Sequence, residues 1–114
     1  MQEPIGAYNC IVETPTTGLG VAVKLPYARS KSFHYRAAGT GAGTAVFQPL
    51  GSNVTKPSAT NVGDWFPIGA QVTVTFTGST TVSDGTLDNT PCLWVNCQLV
   101  SMTSGGQSEC WIAG

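Results

Sequence analysis

Charge is what this chain has least of: eleven of its 114 residues are charged, five basic and six acidic, for a net charge of −1, where an average soluble domain carries about a quarter. So neutral a domain has no field strong enough to gather a polyanion, and nucleic acid is not expected among its partners. It also has little to keep its own copies apart, so an assembled protein with a mostly covered surface is expected. Histidine is nearly absent. His34 lies between Phe33 and Tyr35, and no G-x-S-x-G turn exists to hold a nucleophile, so a Ser-His-acid triad is unsupported. A lone strand histidine fits a surface or interface position instead. Zinc lacks ligands as well: Cys92 and Cys97 are separated by four residues, not two, and one histidine cannot complete a set.

Long hydrophobic runs are missing too. No segment approaches the roughly 20 apolar residues of a membrane span, and the opening MQEP is acidic, without the apolar stretch of a secretion signal. No membrane partner is expected. A chain made and used in a reducing cytoplasm would keep Cys10, Cys92, Cys97 and Cys110 as free thiols filling small apolar gaps; the alternative is two disulfides in any of three pairings, among which the spacing does not choose. No window holds an i, i+3, i+4 apolar pattern free of Gly or Pro, which excludes substantial helix.

What the sequence does have is period-two alternation between turn residues. Strands are expected over 7–13, over 19–25 ended by Pro26, and over 32–37 with Phe33, Tyr35 and Ala37 inward. A glycine-rich tip at 39–43 precedes a strand over 44–50, whose Pro49 argues for an edge or a bulge. After a loop come 65–68 and the clearest strand, 71–77, with Val72, Val74 and Phe76 inward and threonines outward. A loop over 83–89 leads into a closing hairpin, 90–102 and 107–114, around Ser104-Gly105-Gly106. Leu19, Val21, Val23, Leu93, Val95, Cys97 and Leu99 join the core by the same parity. The expectation is one all-β domain over residues 1–114, an antiparallel β-sandwich or jelly-roll-like fold of seven to eight strands.

The chemistry is sparse. Asp64, Asp84 and Asp88 fall in expected turns, where Asp forms turns more readily than it serves as a catalytic pair or a Ca²⁺ ligand. Gly39 to Thr44 lacks the lysine of a phosphate loop. No enzyme activity and no cofactor are expected. Four of the five basic residues, Lys24, Arg29, Lys31 and Arg36, fall within 13 positions and could form a local patch. The second face of 94–102, with Trp94, Asn96, Gln98, Val100 and Met102, leaves large apolar groups in water unless a partner covers them. Expected partner-binding residues are therefore Trp94, Val100 and Met102, with Arg29, Lys31, Arg36 and Tyr8, and residues 1–8 as an N-terminal docking arm.

The order of LGSN at 50–53, DWFPIG at 64–69, a Thr-rich strand, and LWVN at 93–96 closing on WIAG at 111–114 resembles small β-sandwich virion proteins of tailed bacteriophages. The resemblance covers roughly residues 32–114 and is one of size, composition and strand order. It implies a capsid decoration, or cement, protein that binds between major capsid subunits, assembles as a homo-oligomer (a trimer by the resemblance), and resides in the virion after assembly in the host cytoplasm. A carbohydrate-binding sandwich, as in a tail fibre, is the alternative, with Trp65, Trp94 or Trp111 as stacking platform.

Overall fold

A computed structural model describes residues 7–14, 16–25 and 30–114. The described residues form two antiparallel sheets and no α-helix; one 3-10 turn spans Val62–Asp64. Ten strands run in chain order: β1 Ala7–Thr14, β2 Gly18–Leu19, β3 Val23–Lys24, β4 Lys31–Ala38, β5 Gly43–Ser52, β6 Phe66–Pro67, β7 Val72–Phe76, β8 Val82–Asp88, β9 Trp94–Met102 and β10 Gln107–Ala113. One sheet has four strands in the order β1-β10-β4-β8; in the other, β9 and β5 lie at the centre, flanked by β2 and β3 on one side and by β6 and β7 on the other. This is the expected sandwich, with more strands than expected because β2, β3 and β6 are two-residue pairings.

The core lies between the sheets. Phe33, Tyr35, Ala37, Cys110 and Ile112 of the four-stranded sheet meet Ala45, Phe47, Val74, Phe76, Val95, Cys97 and Leu99 of the other. Tyr35 lies 4.9 Å from Phe47, ring to ring, and its hydroxyl bonds Thr86 Oγ1 at 2.9 Å. The parity read from β4 and β7 therefore holds where alternation is cleanest.

Five expectations need correction. Residues 19–25 are not one strand: Gly20 N–H still donates to Cys97 O, but Val21 N–H crosses to Cys10 O on β1. Only glycine fits at the start of this detour, since a Cβ on Gly20 would stand 2.5 Å from Cys10 O. Val21 is consequently 64% exposed and not core. Leu93, just ahead of β9, is also exposed.

The expected loop at 83–89 is β8, paired along its length with β4. As an edge strand it has one partner and a solvated face, so polar residues suffice and the alternation is faint. Asp84 and Asp88 are thus strand residues, whereas Asp64 forms a turn, accepting from Ser58 N.

Pro49 lies in a central strand. Its carbonyl accepts from Ile68 N, so its missing N–H faces the same side, where the chain passes from β6 to β7 and neither strand's register reaches Pro49.

The last two strands are not a hairpin. β9 pairs with β5 in one sheet and β10 with β1 and β4 in the other, so the turn at 103–106 arches across the sandwich. Gly105 takes φ +84° there, a conformation suited to glycine.

Lastly, β9 does not hold one outer face throughout. The register slips between Val46 and Phe47, so that Val46 faces Ser101 and Phe47 faces Leu99. Val100 is the extra residue of this bulge, and Met102 turns inward onto the core.

Candidate functional site

The expected docking residues do not share a surface. Arg29 and residues 1–6 of the proposed arm lie outside the described residues, and Tyr8 is exposed on β1. Lys31 is 1% exposed, its ammonium donating to Thr90 O at 2.5 Å. Its long stem packs inward, so it cannot form part of a surface patch. Trp94 is half-buried beneath Lys24, whose Nζ sits 5.6 Å from the ring centroid, while Val100 is exposed at the bulge and Met102 packs on the core. Asn96, midway between Trp94 and Gln98, is completely buried.

Asn96 is structural. The detour at residues 20–22 leaves Cys97 N–H without a ladder partner on that side, and Asn96 Oδ1 accepts from it at 2.7 Å and from the Cys10 thiol at 3.0 Å. Its amide donates to Gly20 O at 3.1 Å. One side chain thus satisfies groups from three segments.

The outer face of the six-stranded sheet is also partly covered by the chain itself. Leu50 and Ser52 point away from the core by parity, yet both are buried. Ser52 Oγ donates to Asp64 O, and Trp65 Nε1 donates to Ser58 O, holding residues 53–65 back against the sheet. Trp65 is buried in this way and offers no stacking face.

Among the described residues, the face left open belongs to the four-stranded sheet. Alternation along β10 sends Ser108, Cys110 and Ile112 inward and Gln107, Glu109, Trp111 and Ala113 outward. Register sets Trp111 between Asn9 and His34, Glu109 beside Arg36, and Ala113 beside Ser32, with Leu87 at the margin. Two hollows meet on this face and share Arg36. One, of about 370 Å³, is lined by Ser32, His34, Arg36, Trp111 and Ala113. The other, of about 350 Å³, lies at the loop end, between Arg36, Glu109, Gln107, Thr40, Ser79 and Thr81.

Arg36 forms an ion pair with Glu109 across the strands. The pair is partly solvated and adds little stability, about 0–1 kcal/mol. It does cancel charge in the groove, and it leaves Arg36 Nε buried without a hydrogen-bond partner. Comparison with protein-family models, curated proteins and solved structures finds no match.

The thiols lie elsewhere. All four cysteines are free and buried. Burial in apolar surroundings pushes the Cys10, Cys97 and Cys92 thiols up, and at Cys97 the neighbouring Cys110 adds to the effect. Such groups are poor nucleophiles. Among the described residues no group of three or more His, Cys, Asp or Glu side chains is placed to hold a metal ion.

The sequence points to Arg36 through the basic cluster and to Trp111 through the stacking alternative, but not to these two with His34, Gln107 and Glu109 as one surface. The alternation along 107–113 was a usable signal. A closing hairpin would set 107–113 beside β9, whereas β10 pairs with β1 and β4.

Proposed function

We propose that the chain is a structural docking domain of a phage particle, of the capsid-decoration kind, attaching between major capsid subunits and copies of itself. Its docking surface in this reading is the outer face of the four-stranded sheet. The observation that carries the proposal is the openness of that face: Trp111 lies half-buried at its centre with His34 and Arg36 beside it, while the opposite sheet is partly covered by its own loop. Trp, Tyr and Arg near the centre of a patch are the residues that dominate docking energies. Leu87, 79% exposed at the margin, supplies an apolar rim contact with no other evident purpose. Many identical contacts of this kind on a symmetric shell would act together, each holding its neighbours in place. Low charge suits such a surface, since few ions lose water when it is covered.

The test is co-sedimentation of the purified chain with phage heads that lack it, using wild type, Trp111→Ala and Leu87→Lys. Truncating a central Trp should weaken attachment by about 2 kcal/mol, roughly 30-fold, with the fold intact by dichroism. Wild-type chain that stays in the supernatant and remains monomeric would refute the reading.

A further inference from the structure

Apart from Arg36, the hollow at the loop end of the open sheet is lined by groups that the docking reading does not use. Its lining combines three hydroxyls, Thr40, Ser79 and Thr81, the amide of Gln107, and the Arg36–Glu109 pair. At about 350 Å³ it falls within the size range of small-ligand sites.

The lining selects by exclusion. A phosphate or sulfate would meet the Glu109 carboxylate, and a cation would meet the Arg36 guanidinium; the two cancel, so no net charge recommends either ligand. An apolar ligand would strip water from the hydroxyls, the amide and the ion pair without replacing their hydrogen bonds. A ligand bearing several hydroxyls, each both donor and acceptor, can satisfy hydroxyl, amide, guanidinium and carboxylate groups together.

The neighbouring hollow extends the argument. Gln107, Glu109 and Trp111 alternate outward along β10, which puts Trp111 about 14 Å from Gln107 at strand rise. Between them lies Arg36, common to both hollows. A polyhydroxylated ligand longer than one ring, seated among the loop-end hydroxyls, would reach the indole, whose face can stack on the C–H side of a sugar.

We infer that this groove binds a neutral oligosaccharide, with Gln107, Thr81, Arg36 and Glu109 hydrogen-bonding one ring and Trp111 stacking on another.

The full chain would be applied to an immobilised array of neutral gluco-, manno-, galacto- and N-acetylglucosamine oligosaccharides, with sulfated and sialylated saccharides as comparison arms. Any neutral binder would then be titrated calorimetrically against wild type, Gln107→Ala and Thr81→Ala, both of which are exposed positions. The expected result is capture of at least one neutral oligosaccharide, weakened about tenfold or more by each variant, the loss of one to two hydrogen bonds. Binding should persist at about 0.5 M salt, where screening removes attraction between exposed charges. Capture of no neutral saccharide, capture of anionic saccharides alone with loss in salt, or affinity unchanged in both variants would each overturn the inference. Attachment to phage heads is scored separately, so a chain that docks but ignores sugars refutes only this inference, and one that binds sugars but not heads refutes only the docking reading.

Discussion

Replacing Asn96 with Ala should be among the most damaging single changes in the molecule, although its place on β9 suggests a surface position. The side chain is fully buried and holds three partners: Cys97 N–H at 2.7 Å, Gly20 O at 3.1 Å and the Cys10 thiol at 3.0 Å. Truncation leaves all three unpaired. A buried backbone donor or acceptor without a partner costs about 1–3 kcal/mol, and the thiol, a weak donor, costs less. The two backbone groups alone predict a loss of about 3 kcal/mol, allowing for a water that enters the space left behind. Total stability for a domain of this kind is about 5–15 kcal/mol, so the variant should remain folded but with a melting point lowered by roughly 12 °C. Urea unfolding of wild type, Asn96→Ala and Val100→Ala measures it; Val100 lies on the same strand and is exposed at the bulge, so its loss should stay within about 0.5 kcal/mol. The two variants separate burial from strand position. A loss below about 1 kcal/mol for Asn96→Ala would refute the reasoning, since the detour at residues 20–22 would then relax without its clasp.

Two further outcomes follow from the core. Val74→Ala, at a site 2% exposed between the sheets, should lower stability by about 2 kcal/mol through lost transfer energy and a cavity; unchanged urea unfolding would mean that the inward parity of β7 is wrong. The four thiols should resist a maleimide or disulfide reagent at pH 8 in the native protein and all react once unfolded, with two or fewer reactive groups on unfolding pointing to disulfides instead. The same thiols make stability depend on alkaline pH. The native state keeps Cys10, Cys97 and Tyr35 protonated, because burial pushes all three upward, whereas the unfolded chain ionises them near their ordinary values of about 8.5 for thiols and 10 for tyrosine. Stability from these groups is therefore fully present below about pH 8 and is lost as pH rises above that, at up to about 1.4 kcal/mol per pH unit for each ionising group. A flat profile from pH 7 to about 10.5 would mean these groups are not buried.

How much of this was legible in the sequence depended on whether a segment had two faces with different neighbours. β4 and β7 each place apolar residues against the core and polar ones in water, so Phe33, Tyr35, Val74 and Phe76 were assigned correctly from parity alone. β8 was missed because an edge strand with a solvated face needs few apolar residues, and VSDGTLD has turn-forming composition. Residues 19–25 alternate well, yet they bridge two sheets; the signal for this was Gly20, whose missing Cβ is needed 2.5 Å from a carbonyl on another strand. No local pattern carries that long-range fact. The bulge at Val100 was equally invisible, because a single added residue leaves the alternation intact on both sides while reversing its meaning.

The largest misreading, and the one that moves the proposed site, concerns the turn at 103–106. A two-strand segment around Ser-Gly-Gly reads as a hairpin because sequential strands usually pair. Here the chain arches over the end of the sandwich, so β9 and β10 bury their apolar residues towards each other and turn their other faces to opposite sides of the molecule. Cys97 on β9 and Cys110 on β10 are thus both carried into the core between the sheets, where Cys110 adds to the upward push on the Cys97 thiol. Trp94 and Trp111 are carried to opposite exteriors by the same geometry. Trp94 ends up beneath Lys24, on the side where the chain supplies part of its own cover, and Trp111 on the side where the described residues supply none. The outer strand face whose tryptophan calls for cover is therefore that of β10, along the groove of Gln107, Glu109 and Trp111.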